Sequence, residues 1–153
     1  MQSSDSLAAI EAAMVTIRRR QTRRALARAS EGRHDVDPAV FDVVDAVEAG
    51  EPAEATVMTV AAALGVAQPR ASKLVAAAVE AGLLRREADQ ADGRRSLLVR
   101  TAAGRELSDR VHESRRARFA AATAGWTPAE RATFAQLLTR FVDGLTETAA
   151  ERH

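Results

Sequence analysis

The sequence contains no cysteine, and only 3% of its 153 residues are aromatic. Without cysteine the chain has no disulfide framework, no cysteine-based zinc site and no thiol that senses oxidants. The scarcity of aromatic residues argues against a β-sandwich. Apolar residues make up 46% of the chain and charged residues 28%. This balance excludes a disordered chain, and the abundance of alanine favours helices.

Long apolar runs and enzyme motifs are also missing. No uncharged stretch approaches the ~20 apolar residues that a bilayer-spanning helix needs. The N-terminus has no basic segment, and Glu11 interrupts its short apolar run, so we expect no signal peptide, no membrane contact and a cytoplasmic protein. A Gly-rich phosphate loop, a nucleophile elbow and a paired His–acid motif are absent, which predicts no enzyme activity and no catalytic residues. The scattered His34, His112 and His153 predict no metal site, and no cofactor is expected.

The formal net charge of +1 hides a strong segregation of charge along the chain. Residues 18–33 carry seven arginines against one acid, and residues 35–54 carry seven acids and no base. Residues 85–105 carry six arginines against three acids. Local positive fields of this kind attract polyanions. For the first arginine run two interpretations stay open: contact with phosphates, or a solvated face paired with the acidic segment.

Apolar residues at helical spacing predict two N-terminal helices. The first covers residues 5–31 and ends at Gly32, with a stripe formed by Leu7, Ile10, Met14 and Ile17. The second begins after Asp37, which can cap the first free N–H groups, and ends at Gly50 and Pro52. Its predicted buried face consists of Val40, Phe41, Val43, Val44 and Val47.

The next stretch predicts a helix-turn-helix unit. A short helix beginning near Thr59 meets Gly65, and a second helix starts near Gln68 and runs to Ala81. The second helix of such a unit enters the DNA major groove with its N-terminal residues against base edges. The residues predicted to bind DNA there are Gln68, Pro69, Arg70, Ser72 and Lys73. Arginine and lysine suit guanine acceptors, and glutamine pairs with adenine. By itself, this cluster is also typical of an ordinary exposed helix start.

A short hairpin follows, with one strand from Leu83 and a return strand after the turn "ADQADG". A two-stranded ribbon directly after a helix-turn-helix is a wing. Arg94 and Arg95 lie near its tip, where they are predicted to reach the minor groove or the flanking phosphates. Asp92 is predicted to position the turn and to orient Arg94. The alternative is a solvated hairpin whose Asp92-Gly93 pair makes the turn and nothing more.

Two further helices end the chain. Thr101 caps the first, which is predicted to reach about Ala124, and "TPAE" at positions 127–130 forms a capping box before the second. The second carries many large apolar residues for which a short chain has little core, so the terminal helices are predicted to form a homodimer interface. The predicted dimerisation residues are Leu7, Ile10, Phe134, Leu138, Phe141 and Leu145. Packing within one chain is the alternative.

Together these elements predict a mainly α fold with a small two- or three-stranded β-wing. It is a winged helix-turn-helix with N- and C-terminal dimerisation helices. Residues 1–36 and 101–153 form the predicted dimerisation region, and residues 37–100 the DNA-binding region, within one structural domain.

The order of elements resembles the MarR family of winged-helix regulators. The wing signature of that family, Asp-x-Arg, an apolar strand and Thr-x-x-Gly, stands here as Asp92, Arg94, Leu98, Thr101 and Gly104. The segment "LGVAQPRASKLVAAAVEAGLL" resembles the turn and recognition helix of the family. One departure is Arg100 in place of the usual leucine, which predicts an irregular or exposed end of the second wing strand.

The resemblance implies a homodimeric transcriptional regulator, usually a repressor, that binds a pseudo-palindromic operator in double-stranded DNA. It also implies a small anionic or phenolic ligand as a further partner. A winged-helix module that only pairs with proteins, without specific DNA binding, is the alternative function.

Overall fold

The computed structural model describes residues 2–31, 36–51 and 54–150. Its elements are α1 (Gln2–Glu31), α2 (Pro38–Gly50), α3 (Val57–Leu64), α4 (Gln68–Glu80), β1 (Leu84–Ala88), β2 (Ser96–Arg100), α5 (Ala102–Ala122) and α6 (Pro128–Ala150). The mainly helical fold with a small β-wing is thus confirmed. The predicted helix-ending residues Gly32 and Pro52 lie outside the described residues. The chain divides into two compact units, residues 1–99 and 100–153.

Local capping bonds explain where the helices of the first unit begin. Asp37 Oδ1 accepts a 2.9 Å hydrogen bond from the backbone N–H of Ala39 at the start of α2, as predicted. At the start of α3, the hydroxyls of Thr56 and Thr59 each accept a bond from the other residue's backbone N–H. Helix α3 therefore begins at Val57, two residues before its predicted start. The sequence pattern missed this capping box because threonine takes the place of the usual Glu or Gln.

Glycines end both helices of the helix-turn-helix and redirect the chain. Gly65 has φ of 63° and Gly82 has φ of 73°, the left-handed region in which a side chain is strained. After α3, the N–H of Val66 donates to the carbonyl of Ala61 over 3.0 Å, which satisfies a carbonyl that the helix leaves free. The chain makes the same turn after α4, where Leu83 N–H donates to a helix carbonyl over 3.0 Å.

Helices α2, α3 and α4 pack against one another, and α4 also contacts β1. The buried apolar residues of this unit are Val40, Val43, Val44, Val47, Ala55, Val60, Ala61, Ala71, Val75, Ala78, Leu83, Leu84 and Leu98. Phe41, which was predicted to be buried, is only half-buried, as is Leu74 of α4. Each lies at the edge of its helix's buried stripe, because successive helical residues are rotated by about 100°.

The wing is a two-stranded sheet of β1 and β2. A third strand is reduced to one antiparallel bridge, in which the N–H of Leu98 donates to the carbonyl of Ala55 over 2.8 Å. Strand β2 stays regular through Arg100, which is only 8% exposed. The expectation of an irregular or exposed strand end was therefore wrong. Side chains alternate along a strand, so Arg100 shares the buried face of Leu98 and buries its long aliphatic stem.

The second unit consists of α5 and α6. Thr101 Oγ1 accepts a 3.1 Å bond from the N–H of Gly104 and caps α5, which ends two residues before the predicted Ala124. The predicted capping box starts α6: Thr127 Oγ1 accepts from the N–H of Glu130 over 3.2 Å, and Glu130 Oε2 accepts from the N–H of Thr127 over 2.7 Å. None of the described helices is both long enough and apolar enough to cross a membrane.

Candidate nucleic-acid interface

The first turn of α4 presents cations and an uncapped helix end. Gln68, Pro69, Arg70 and Lys73 are exposed, and Ser72 is half-buried. Among the described residues, the side chains of Arg70 and Lys73 form no ion pair. Ala67 occupies the N-cap position, and no side chain caps the helix there. The positive end of the helix dipole therefore adds to the two cations and favours an anion at this surface.

The buried face of α4 determines which of its side chains point outward. Ala71, Val75 and Ala78 are fully buried. Because this stripe takes up one side of the helix, Arg70 lies at its flank and Lys73 on the opposite face, and both are exposed. The five α4 residues predicted to bind DNA lie within its first turn and a half, and four of them are exposed.

Two aspartates hold the wing turn. Asp92 Oδ1 accepts a 3.1 Å hydrogen bond from the backbone N–H of Arg94, and Asp92 O accepts one of 2.9 Å from Arg95 N–H. Asp89 Oδ1 accepts from the N–H of Ala91 over 2.8 Å, and the N–H of Asp89 donates to Arg95 O over 3.1 Å. These local bonds fix the backbone between the strands, in the manner typical of aspartate in turns.

The two arginines of the wing have different surroundings. Arg94 is exposed, and among the described residues its guanidinium takes part in no ion pair. Arg95 Nη1 lies 3.1 Å from Glu54 Oε2 and 3.3 Å from Asp89 Oδ2. Asp89 is buried, and its Oδ2 makes no hydrogen bond within the described part of the chain, so its contact with Arg95 is an ion pair without hydrogen-bond geometry. Glu54 could not be found from the sequence, because no spacing rule links it to the wing.

A shallow recess of about 490 Å³ lies beside this ion pair and is lined partly by Glu54, Glu87 and Asp89. Its three carboxylates repel anions, so the recess does not suit the anionic ligand that the resemblance implies. Glu87 also pairs with Arg85 over 2.6 Å. Both partners of that pair are exposed, and exposed ion pairs contribute only about 0–1 kcal/mol to the free energy of unfolding.

Two further surfaces are apolar. On α6, Phe134, Leu137, Leu138, Val142 and Leu145 are 43–53% exposed, while Phe141 is half-buried. On α1, Leu7, Ile10, Met14 and Ile17 are 40–65% exposed. Apolar stripes of this length on an isolated chain mark interaction surfaces.

Of the arginine run on α1, the side chains of Arg18, Arg19 and Arg20 are exposed. The later side chains of that run, and His34 and His153, lie outside the described residues.

Comparison with known proteins agrees with this architecture. Residues 34–95 match the family model described as MarR family. A MarR family protein from Bacillus stearothermophilus has a similar structure, with a TM-score of 0.76 and 17% identity over 94% of this chain and 97% of that chain. Among curated proteins, no sequence matches the chain.

Two other similar structures were solved with bound partners. The PcaV transcriptional regulator from Streptomyces coelicolor, in complex with its natural ligand, has a TM-score of 0.55 and 26% identity over 84% of this chain and 89% of that chain. A mutant of MepR from S. aureus, bound to an oligodeoxyribonucleotide, has a TM-score of 0.59 and 18% identity over 86% and 94% of the two chains. Residues 34–95 thus match the MarR family model, and the chain shares the winged-helix fold of these solved structures.

Proposed function

We propose that the protein is a cytoplasmic, homodimeric transcriptional regulator that binds double-stranded DNA in a sequence-specific way. The observation that carries this proposal is the first turn of α4, where Arg70 and Lys73 are exposed beside an uncapped helix end. A surface with two cations and no acid on an otherwise nearly neutral chain suits phosphates and guanine edges. The MepR mutant, which has the same fold, is bound to an oligodeoxyribonucleotide.

In this proposal α4 reads bases and the wing contributes affinity. Gln68, Arg70 and Lys73 face base edges in the major groove, while Pro69 and Ser72 contact the sugar-phosphate backbone or lie close to it. Arg94 extends from the wing toward the minor groove or a flanking phosphate, and Asp92 holds its backbone in place.

Dimerisation is the second part of the proposal. The exposed stripes on α1 and α6 are covered by a second copy of the chain, through Leu7, Ile10, Phe134, Leu138, Phe141 and Leu145. A twofold dimer presents two recognition helices, and its operator is therefore pseudo-palindromic, with half-sites about one helical turn apart or a multiple of it.

Repression released by a ligand is the third part. PcaV, which is 26% identical, was solved with its natural ligand, and we propose a small anionic or phenolic molecule for this chain as well. A coupling of ~1–3 kcal/mol between ligand and DNA suffices for a switch. A panel of phenolic and anionic metabolites should include one that shifts both the melting temperature and the operator affinity. If none shifts either quantity, the protein acts without a ligand.

The experiment that tests DNA binding is selection from a pool of random duplexes, followed by sequencing of the retained fragments. Affinities for a selected duplex and a scrambled one are then measured at two salt concentrations. We expect an enriched palindromic motif and an affinity that falls steeply with salt, because DNA binding releases counterions. If neither duplex is retained even at low salt, the protein-pairing alternative is correct.

A further inference from the structure

The three charged residues Glu54, Asp89 and Arg95 form a cluster that links the wing to the segment before α3. Arg95 Nη1 is 3.1 Å from the Glu54 carboxylate and 3.3 Å from the Asp89 carboxylate. We infer that Arg95 is a positioning residue that sets the wing against the helix-turn-helix, and that Arg94 alone binds DNA at the wing turn. The inference rests on the proposed function and assigns to Glu54 a role in DNA affinity, although it lies outside the wing and the recognition helix.

The burial of Asp89 is the first reason. Asp89 is 5% exposed, and a carboxylate removed from water is costly unless a cation compensates it. Among the described residues, Arg95 supplies the positive charge that lies next to it. If Arg95 turned toward DNA, it would leave this carboxylate buried without a counter-charge. The arginine is therefore held at the wing by an electrostatic requirement of the folded chain.

The second reason is that a backbone link joins the same two segments. Ala55 follows Glu54 directly, and its carbonyl accepts the 2.8 Å hydrogen bond from Leu98 in the middle of β2. Arg95 lies one residue before β2 begins. The segment at 54–55 thus holds the second half of the wing at two points, by an ion pair to the residue before β2 and by a backbone hydrogen bond to the middle of β2. Since Thr56 caps α3 immediately afterwards, these links couple the wing to the helix-turn-helix.

The sign of the effect of Glu54→Gln on DNA affinity tests the inference. If Arg95 binds DNA, loss of the Glu54 charge frees it and removes a repulsive charge, so the selected duplex should bind more tightly. If Arg95 positions the wing, the same variant should bind about two- to fivefold more weakly, as expected for one partly exposed ion pair. Glu87→Gln is the matched control, because Glu87 is an exposed wing carboxylate paired with Arg85 and not with Arg95. It should bind as well as the parent or slightly better.

A double-mutant cycle supplies the second readout. Arg95→Ala should weaken DNA binding about tenfold. The variant that combines Arg95→Ala with Glu54→Gln should bind DNA no worse than Arg95→Ala alone, because Glu54 and Arg95 act through one ion pair. Full additivity, or tighter binding by Glu54→Gln, would overturn the inference. Arg94→Ala combined with Glu54→Gln should also be non-additive, since a displaced wing already misplaces Arg94.

A measurement without DNA separates failure of this inference from failure of the proposed function. Amide hydrogen exchange at Leu98 reports the bond to Ala55 directly. Both Glu54→Gln and Arg95→Ala should speed exchange at Leu98 and leave exchange within α4 at the parent's rate, whereas Glu87→Gln should change neither. Unchanged exchange at Leu98 in both variants would show that the ion pair does not hold the wing, whatever the protein binds.

Discussion

Asp92 Oδ1 accepts a 3.1 Å hydrogen bond from the backbone N–H of Arg94, so the aspartate holds the wing residue that we propose binds DNA. Asp92→Ala should therefore weaken DNA binding, even though it removes a negative charge that repels phosphates. Asp92→Asn keeps an oxygen that can accept the same bond, and it should bind at least as tightly as the parent. If Asp92→Ala binds DNA more tightly than the parent, the wing is a generic charged hairpin.

Arg94→Ala shows how much DNA affinity is lost when the Arg94 side chain itself is removed, and the Asp92 variants are compared with it. Phosphate and minor-groove interactions carry little base information, so this variant should lose affinity for selected and scrambled duplexes alike. Its log–log salt slope should flatten by ~0.9 for each phosphate that is no longer neutralised, and by twice that in a symmetric dimer. A loss confined to the selected duplex would show that Arg94 reads sequence instead.

Base reading by α4 is tested at its two exposed cations. Arg70→Ala or Lys73→Ala should cost ~1–3 kcal/mol of binding free energy for each good base interaction, and should reduce the preference for the selected duplex over the scrambled one. Arg131→Ala, which removes an exposed arginine from the first turn of α6, is the control and should retain the preference. If both α4 variants bind like the parent, another element enters the groove.

The uncapped start of α4 gives a prediction in which stability and DNA binding move in opposite directions. Ala67 has the extended backbone of an N-cap residue, with φ of −66° and ψ of 147°. Ala67→Asp should stabilise the fold by roughly 0.5–2 kcal/mol through a new cap, and should weaken DNA binding because its charge meets the phosphates.

Ala67→Ser separates the cap from the charge. Serine also caps a helix but carries no charge, so this variant should gain stability and lose less DNA affinity than the aspartate variant. Chemical denaturation and duplex titration are the two measurements. Equal DNA affinity for Ala67→Asp and the parent would place the start of α4 away from the phosphates.

A charged side chain introduced into the apolar stripe of α6 tests the proposed dimer interface. Leu138 is 43% exposed on a single chain, in the middle of the α6 stripe. Leu138→Glu should shift the protein to monomers or unfold it, because a second copy would bury the charge without a partner. Gln136→Glu, on a different face of the same helix, should leave the mass measured by light scattering unchanged. A dimer that survives Leu138→Glu would place the interface elsewhere.

The capping box of α6 makes stability depend on pH in a defined direction. The backbone N–H and hydroxyl of Thr127 donate to the Glu130 carboxylate and lower its pKa from the ordinary value of 4.5. A lowered folded-state pKa means that the ionised group stabilises the fold above pH 4.5, and that this contribution is lost as pH falls through the lower folded value.

Thermal melts of the parent and Glu130→Gln test this dependence. The parent should melt at a higher temperature near pH 7, and the difference should shrink once the pH falls below 4.5. Glu147→Gln, on the same helix but outside the capping box, is the control for the loss of one carboxylate from α6. A constant difference at every pH would mean that Glu130 acts without its charge.

Much of the fold was predicted from the sequence because its signals are local. Asp37, Thr101 and the Thr127–Glu130 pair cap helices through bonds between residues two or three positions apart, so the pattern contains both partners. Gly65 and Gly82 mark helix ends for the same reason, since a positive φ is a property of one residue. The Thr56–Thr59 box is equally local, but its residue types differ from the usual pair.

The candidate site was predicted less completely. The exposed α4 residues and the Asp92 turn follow from periodicity and from local turn chemistry. The ion pairing of Arg95 could not be predicted in this way, because it depends on Glu54, which lies far away in the chain. The burial of Arg100 could not be predicted either, since an irregular or exposed strand end was expected there.

The sequence by itself thus determined the order of elements, most of the helix ends and the cations in the first turn of α4. Each of these follows from residues within one or two turns of each other, whose backbone bonds form wherever the chain folds. The tertiary structure decided which charges are free and which are paired. A carboxylate such as Asp89 loses its water only when the chain packs around it, and only then must a particular arginine supply its counter-charge.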